Sequence, residues 1–196
     1  QFAKKAFNLT VVYESAIAKY FNDDGESLPI TFNYNIESSK KLRYGENPHQ
    51  KGVYYGQLEN LFDQLNGKEL SYNNILDVSA AIAIVESFDL PAAAVIKHTN
   101  PCGAAIGDTI DEAYEKAYAA DPLSAYGSIV GLNRVVDLKT ADLLAQTFIE
   151  VIIAPGFDQD AFDCLAKKRA LRLIETNSST KNQEKYMYRF INNGFL

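Results

Sequence analysis

The chain has no tryptophan, one methionine, two cysteines and two histidines among its 196 residues. Cys102 and Cys164 stand alone, with no C-x-x-C and no histidine near Cys164, which excludes a disulfide scaffold and any familiar zinc spacing. Two such thiols are expected to be buried in a reducing cytosol. No run approaches the ~18 apolar residues that a membrane span needs, and the N-terminus lacks the basic, apolar, small-residue order of a secretion signal. The expected location is therefore cytoplasmic, without a membrane partner. Basic charge is in deficit: 19 Lys plus Arg against 25 Asp plus Glu leave a net charge of −6. That balance argues against a nucleic-acid binder and still permits a local basic pocket for an anionic small molecule. What remains is an ordinary globular composition, 47% hydrophobic and 22% charged, with enough length for a sizeable core. His49 and His98 are the whole supply of side chains that ordinarily titrate near neutral pH, so the list of acid–base candidates is short.

Leu9, Val12, Ala16 and Tyr20 recur at three- and four-residue steps, which predicts a helix over residues 1–21. Residues 22–37, with Asp23, Asp24, Gly25 and Pro29, read as a linker. Short apolar runs then alternate with helical patterns. Val78, Ala81, Ile82 and Val85 mark a helix face, and Ala92–Ile96 is a buried-strand run ending in a turn from Thr99 through Gly103. Thr109-x-x-Glu112 has the capping-box pattern for the next helix. Strands are expected at Ser128–Leu132, Glu150–Ala154 and Leu171–Ile174, with helices near Lys139–Gln146 and Gln159–Lys168 between them. This alternation predicts an α/β fold with a mixed, largely parallel sheet and packed helices. Met187–Leu196 begins a further element without a stop signal, so the chain is expected to be truncated at both ends.

Two polar clusters carry the chemistry. Lys40–Gln50 (K-K-L-R-Y-G-E-N-P-H-Q) joins cations, among them Arg43, to Tyr44, turn residues and His49. An arginine fork suits a phosphate, and a tyrosine suits a heterocycle or an oxyanion. The same residues also fit a solvated turn whose Gly and Pro set only backbone geometry. Ala94–Ala105 (A-V-I-K-H-T-N-P-C-G-A-A) places Lys97 and His98 at the carboxyl end of a strand, where open α/β sheets bind ligands. As a pair, a neutral His98 takes a proton while Lys97 stabilises negative charge on a substrate oxygen. A histidine bonded within a turn beside a surface lysine is the plainer alternative. Zinc deaminases need H-x-E and P-C-x-x-C. Here Asn100 replaces the glutamate and Ala105 the second cysteine, so that chemistry is excluded.

Taken in order, L-R-Y-G-E-N-P-H-Q (Leu42–Gln50), L-S-Y-N-N-I-L-D (Leu70–Asp77), K-H-T-N-P-C-G (Lys97–Gly103), D-P-L-S-A-Y-G (Asp121–Gly127) and E-V-I-I-A-P (Glu150–Pro155) resemble the AICAR transformylase domain of the bifunctional purine biosynthesis family. Lys5–Phe21 resembles the last helix of that family's IMP cyclohydrolase domain. The resemblance implies a cytidine-deaminase-like fold without zinc, with no metal expected. It also implies formyl transfer from 10-formyltetrahydrofolate, a co-substrate, to the 5-amino group of AICAR. By motif, Lys97 and His98 would be catalytic, Arg43, Tyr44, His98 and Gly127 would bind the nucleotide, and Glu150 would supply an acidic ligand contact. His49 would have only a structural or supporting role. Residues 38–196 would be the N-terminal part of the transformylase domain, which in this family works as a homodimer. The second half of the domain, with most folate contacts, lies outside the match, so the isolated chain is expected to be inactive. The alternative is a non-catalytic nucleotide-binding or interaction module that keeps the fold.

Overall fold

The computed structural model describes residues 1–22, 32–177 and 188–196. Of the expected linker, residues 23–31 lie outside the described residues, as does Met187, while residues 32–37 carry no regular structure. The chain divides into two compact units, one of Gln1–Lys40 with Tyr54–Gly56 and the other of Lys41–Val53 with Gln57–Leu196. In the first, helix α1 spans Phe2–Asn22, and none of its residues is buried. Strands β1 (Ser39–Lys41) and β2 (Val53–Tyr55) pair as a small two-stranded sheet.

The second unit is built on a six-stranded sheet. Its strands are β3 (Phe62–Asn66), β4 (Ala92–Lys97), β5 (Asn100–Ile106), β6 (Ser128–Leu132), β7 (Ile149–Ala154) and β8 (Arg172–Thr176), in the spatial order β3-β8-β7-β6-β4-β5. β6, β7 and β8 are parallel, β4 runs against both β5 and β6, and β3 runs against β8. Four of the six strands thus share one direction, giving the mixed, largely parallel sheet read from sequence. Every residue of β6 and all but the last of β4 are buried, the continuous apolar signature of strands covered on both faces. A two-strand hairpin, β9 (Phe190–Ile191) with β10 (Gly194–Phe195), forms in the segment that sequence left open.

Helices cover both faces. On one, α3 (Ile110–Ala120), α4 (Leu138–Ala145) and α5 (Gln159–Ala166) pack Ala113, Ala117, Leu144 and Leu165 against Val95, Val130, Ile152 and Leu173. The alternate strand residues Ile96, Ile129, Val151 and Ile153 point the other way, where α2 (Tyr72–Val85) lies against β4, β6 and β7. α2 buries Val78, Ala81 and Val85, much as its periodicity predicts.

Capping departs from the sequence reading. Thr109 precedes α3 without a side-chain capping bond. Glu112 accepts the Asp108 N–H at 2.8 Å and also takes the Thr109 N–H, while the Thr109 side chain bonds to the Asp111 carboxylate, so the reciprocal half of the box is missing. The reciprocal box belongs to α2, where Ser71 accepts the Asn74 N–H and Asn74 accepts the Ser71 N–H, each at 3.1 Å. The thiols also differ from expectation: both cysteines are half-buried rather than buried, each packed at the margin of the core.

Asp111 is almost wholly covered, and Lys139 from α4 meets its carboxylate at 2.6 Å. That bond, with the one from Thr109, lowers its pKa from the ordinary 3.8. A depressed carboxylate pKa contributes stability that is fully present above the unfolded value and is lost as pH falls through the folded one. Asp111→Asn should therefore be less stable than the parent at pH 7, and the gap should close below about pH 3.8. Melting temperatures of both proteins across pH 7 to 2.5 test this; a gap independent of pH would refute it.

Candidate active site

Lys97 ends β4, and the next two residues reverse the chain into β5. The expected long turn through Gly103 is absent because Asn100–Ile106 is itself a strand, with Lys97 opposite Asn100. Pro101 fits there because β5 is an edge strand. One residue is extra, since Val95 faces Gly103 and Ile96 faces Pro101, so Cys102 forms a bulge close to the turn. His98 and Thr99, the two turn residues, have φ of 55° and 62°. Positive φ at both central positions is the type I′ pattern, which favours Asn-Gly. A β-branched threonine there is an outlier, and such positions hold about 1–3 kcal/mol of strain each.

The strained turn is tied down on several sides. The Lys97 ammonium donates to the Tyr126 carbonyl at 2.8 Å, and Asp77 on α2 accepts the Thr99 N–H at 2.6 Å. The His98 carbonyl accepts the Thr99 hydroxyl and the Asn100 amide. The His98 imidazole is exposed and makes no hydrogen bond among the described residues. A lysine ammonium has three donors, so Lys97 keeps two beyond the one given to Tyr126.

Tyr126 belongs to the loop between α3 and β6. Asp121 shapes that loop by accepting both the backbone N–H and the hydroxyl of Ser124, bonds that hold its carboxyl below the usual range. Gly127 follows at φ +73°, where its N–H reaches the Phe148 carbonyl. The Tyr126 and Phe148 rings meet at 5.1 Å between centroids. Half-burial pushes the Cys102 thiol pKa up and the charge of Asp121 adds to the shift, so the thiol is held protonated rather than as a nucleophile.

Glu150, on β7, is partly exposed. Its Oε2 accepts from Asn74 at 3.2 Å and lies 3.7 Å from the Arg172 guanidinium, leaving Oε1 without a partner among the described residues. The Lys40–Gln50 cluster closes as a loop through Leu42 N–H to Gly52 and Gly45 N–H to Gln50. Leu42 anchors it in the core, Arg43 lies over the Tyr44 ring at 5.7 Å, and His49 is exposed. Asn73 bonds the Glu46 carbonyl at 3.2 Å. The first turns of α2 therefore touch three distant segments: Asn73 the basic loop, Asn74 Glu150, and Asp77 the His98 turn. The address differs from the open-sheet rule, because β4 runs against β6. Lys97 and His98 sit at the carboxyl end of their own strand but beside the amino ends of parallel strands β6 and β7. Among the described residues no group of three or more His, Cys, Asp or Glu is placed to hold a metal ion.

The AICARFT/IMPCHase bienzyme family model matches residues 1–196. The chain belongs to that family. It is 46% identical over 201 residues to the bifunctional purine biosynthesis protein PurH of Halalkalibacterium halodurans, covering 99% of this chain and 39% of that protein. Against the protein of the same name in Listeria monocytogenes it is 46% identical over 203 residues, and in Lysinibacillus sphaericus 44% over 200. In both of those cases, too, the match covers 99% of this chain and 39% of the relative. The AICARFT/IMPCHase bienzymes are thus bifunctional purine biosynthesis enzymes, and this chain spans well under half of their length.

Within this AICARFT/IMPCHase chain, sequence reading missed Asn73, Asn74, Asp77 and Asp121 as builders of the site. The first three lie in L-S-Y-N-N-I-L-D, at steps of one and three residues. That spacing on a helix projects them from one end and a shared face, the only signal that could have found them.

Proposed function

We propose that the chain supplies the nucleotide side of an AICAR transformylase site. The reaction is formyl transfer from 10-formyltetrahydrofolate to the 5-amino group of AICAR, within a bienzyme that then cyclises the product to IMP. The amine attacks the formyl carbon, forming the new C–N bond. His98 takes the proton released from nitrogen, and Lys97 stabilises the charge on the formyl oxygen. Collapse of the adduct breaks the bond to N10 of the folate, which leaves with the proton returned by His98. Arg43 and Tyr44 hold the nucleotide, Gly127 lines its site, and Glu150 offers Oε1 as a polar contact. The folate side comes from outside these residues, and the active assembly is a cytoplasmic homodimer that needs no metal.

The observation that carries this reading is the Lys97–His98 turn. Its histidine ring is unbonded and exposed, and its lysine is fixed on the Tyr126 carbonyl with donors to spare. Calorimetric titration of AICAR monophosphate into the 196-residue chain, with a parallel transformylase assay, is the test. Binding without turnover is expected. Arg43→Ala should weaken binding by about 10-fold or more, the effect of losing a charge-assisted contact. Unaltered affinity in that variant would remove Arg43 from the site, and no binding by the parent chain would favour an interaction module instead.

A further inference from the structure

We infer that Asp77 is a positioning residue for His98: its carboxylate, accepting the Thr99 N–H, holds the left-handed turn that aims the imidazole. This inference deepens the reading of His98 as the proton acceptor and rests on it.

A two-residue hairpin turn with positive φ at both positions has a sequence preference that His-Thr does not meet. Local bonds within the hairpin, from the Thr99 hydroxyl and the Asn100 amide, both fall on the His98 carbonyl. These bonds hold only the oxygen edge of the His98–Thr99 peptide plane, and they come from within the hairpin itself. The Thr99 N–H belongs to the plane between the two turn residues, and Asp77 accepts it at 2.6 Å from 22 residues away. Among the described residues this is the one hydrogen bond that ties His98 or Thr99 to an element outside the hairpin. It is short and charge-assisted, the stronger class of hydrogen bond.

The acceptor in that bond is itself fixed. α2 is closed at its start by the Ser71–Asn74 box, Val78 next to Asp77 is buried, and Asn74 one turn earlier bonds Glu150. An aspartate side chain has only two torsions, so its carboxylate transmits the helix position to the turn with little slack. Freed from Asp77, the turn would relax toward negative φ at Thr99, and the imidazole would swing away from the line of attack.

The experiment measures transformylase kinetics in the complete protein carrying these residues, with IMP cyclisation and melting temperature as controls. Asp77→Ala should lower kcat by about 100-fold, the scale of an ångström-sized misplacement, with KM for AICAR moved less than about 3-fold. Asp77→Asn keeps an acceptor oxygen and should stay within about 10-fold of the parent. Thr99→Gly supplies the diagnostic suppression, because glycine adopts the left-handed region freely. Asp77→Ala/Thr99→Gly should recover about 10-fold or more of the lost kcat. A merely structural loss at Asp77 would not be relieved by that second change.

Parent-like kcat in Asp77→Ala, equal damage in Asp77→Asn, or no recovery with Thr99→Gly would each overturn the assignment. If Asp77→Ala melts too low to assay, Asp77→Asn decides by itself: kcat within about 10-fold of the parent upholds the assignment, and a greater loss overturns it. His98→Asn separates the two levels. Normal turnover in that variant would sink the reading of His98 itself. An inactive His98→Asn beside a fully active Asp77→Ala would sink the positioning role alone.

Discussion

Replacing His98 is expected to lower formyl transfer in the complete protein by about 10²–10⁴-fold, the range for loss of a positioned general base, while IMP cyclisation continues. The choice of substitution matters, because His98 combines a chemical group with an unusual backbone. At φ 55° an alanine pays some strain, and a loss of activity in His98→Ala mixes both effects. Asparagine is among the residues most at home in this turn, and its amide does not accept a proton near neutral pH. His98→Asn should therefore melt no lower than the parent and still lose the full 10²–10⁴-fold in kcat. AICAR binding should fall far less than turnover. Near-parent kcat in His98→Asn would show that the imidazole takes no proton in the rate-limiting step. The exposed ring without a bond among the described residues makes a structural role a poor rival, since little packing is lost with it.

The largest effect on stability is expected at Gly103. A β-carbon there would stand 1.9 Å from the Ala117 carbonyl oxygen and 2.9 Å from Ala120 Cβ. The obstacle is helix backbone, which cannot swing aside as a side chain would. α3 would have to lift off β5, loosening Ala113 and Ala117 from Val95 and Val130. Overpacking of this kind costs about 3 kcal/mol or more, or roughly 6–12 °C in melting temperature for a domain of this size. Gly127→Ala is the comparison. Its φ of +73° strains any other residue, but the added carbon meets nothing closer than Phe148 at 3.6 Å. Backbone strain alone is about 1–2 kcal/mol, so Gly103→Ala should be clearly the worse of the two in thermal melts. The reverse order would mean that α3 adjusts easily, and that close helix–strand approach is not what fixes Gly103.

These two positions show how unevenly the site could be read in advance. Gly127 is marked only by the family resemblance, whereas Arg43, Lys97 and His98 stand out as reactive residue types in dense polar blocks. Gly103 stood in the same block, and its reason for being glycine is a helix that begins seven residues later and folds back over it. The β5 residues read as a turn in sequence because proline and glycine are turn formers, yet Pro101 is tolerated on an edge and Gly103 is required by α3. β3 escaped notice for a related reason. Only Phe62 of its five residues is buried, so no alternation marks it, and pairing with β8 makes it a strand. The Thr109 pattern misled in the opposite direction. Its hydroxyl had a better acceptor in Asp111, and the true box used asparagine where glutamate is the usual partner.

Sequence by itself determined the α/β alternation, the buried runs of β4, β6 and β7, the apolar face of α2 and the motif blocks that mark the family. Each depends on local periodicity or residue type, which burial imposes on every stretch separately. Tertiary structure alone decided that β4 runs against β6, which moves Lys97 and His98 beside the amino ends of the parallel strands. It alone set the left-handed turn, and it brought Asn74 to Glu150 across 76 residues and Asp77 to Thr99 across 22. An apolar pattern records that a strand is covered, and is the same whichever way the strand runs. A hydrogen bond between distant segments leaves no periodic trace in either, so only the folded chain reveals which carboxylate holds which turn.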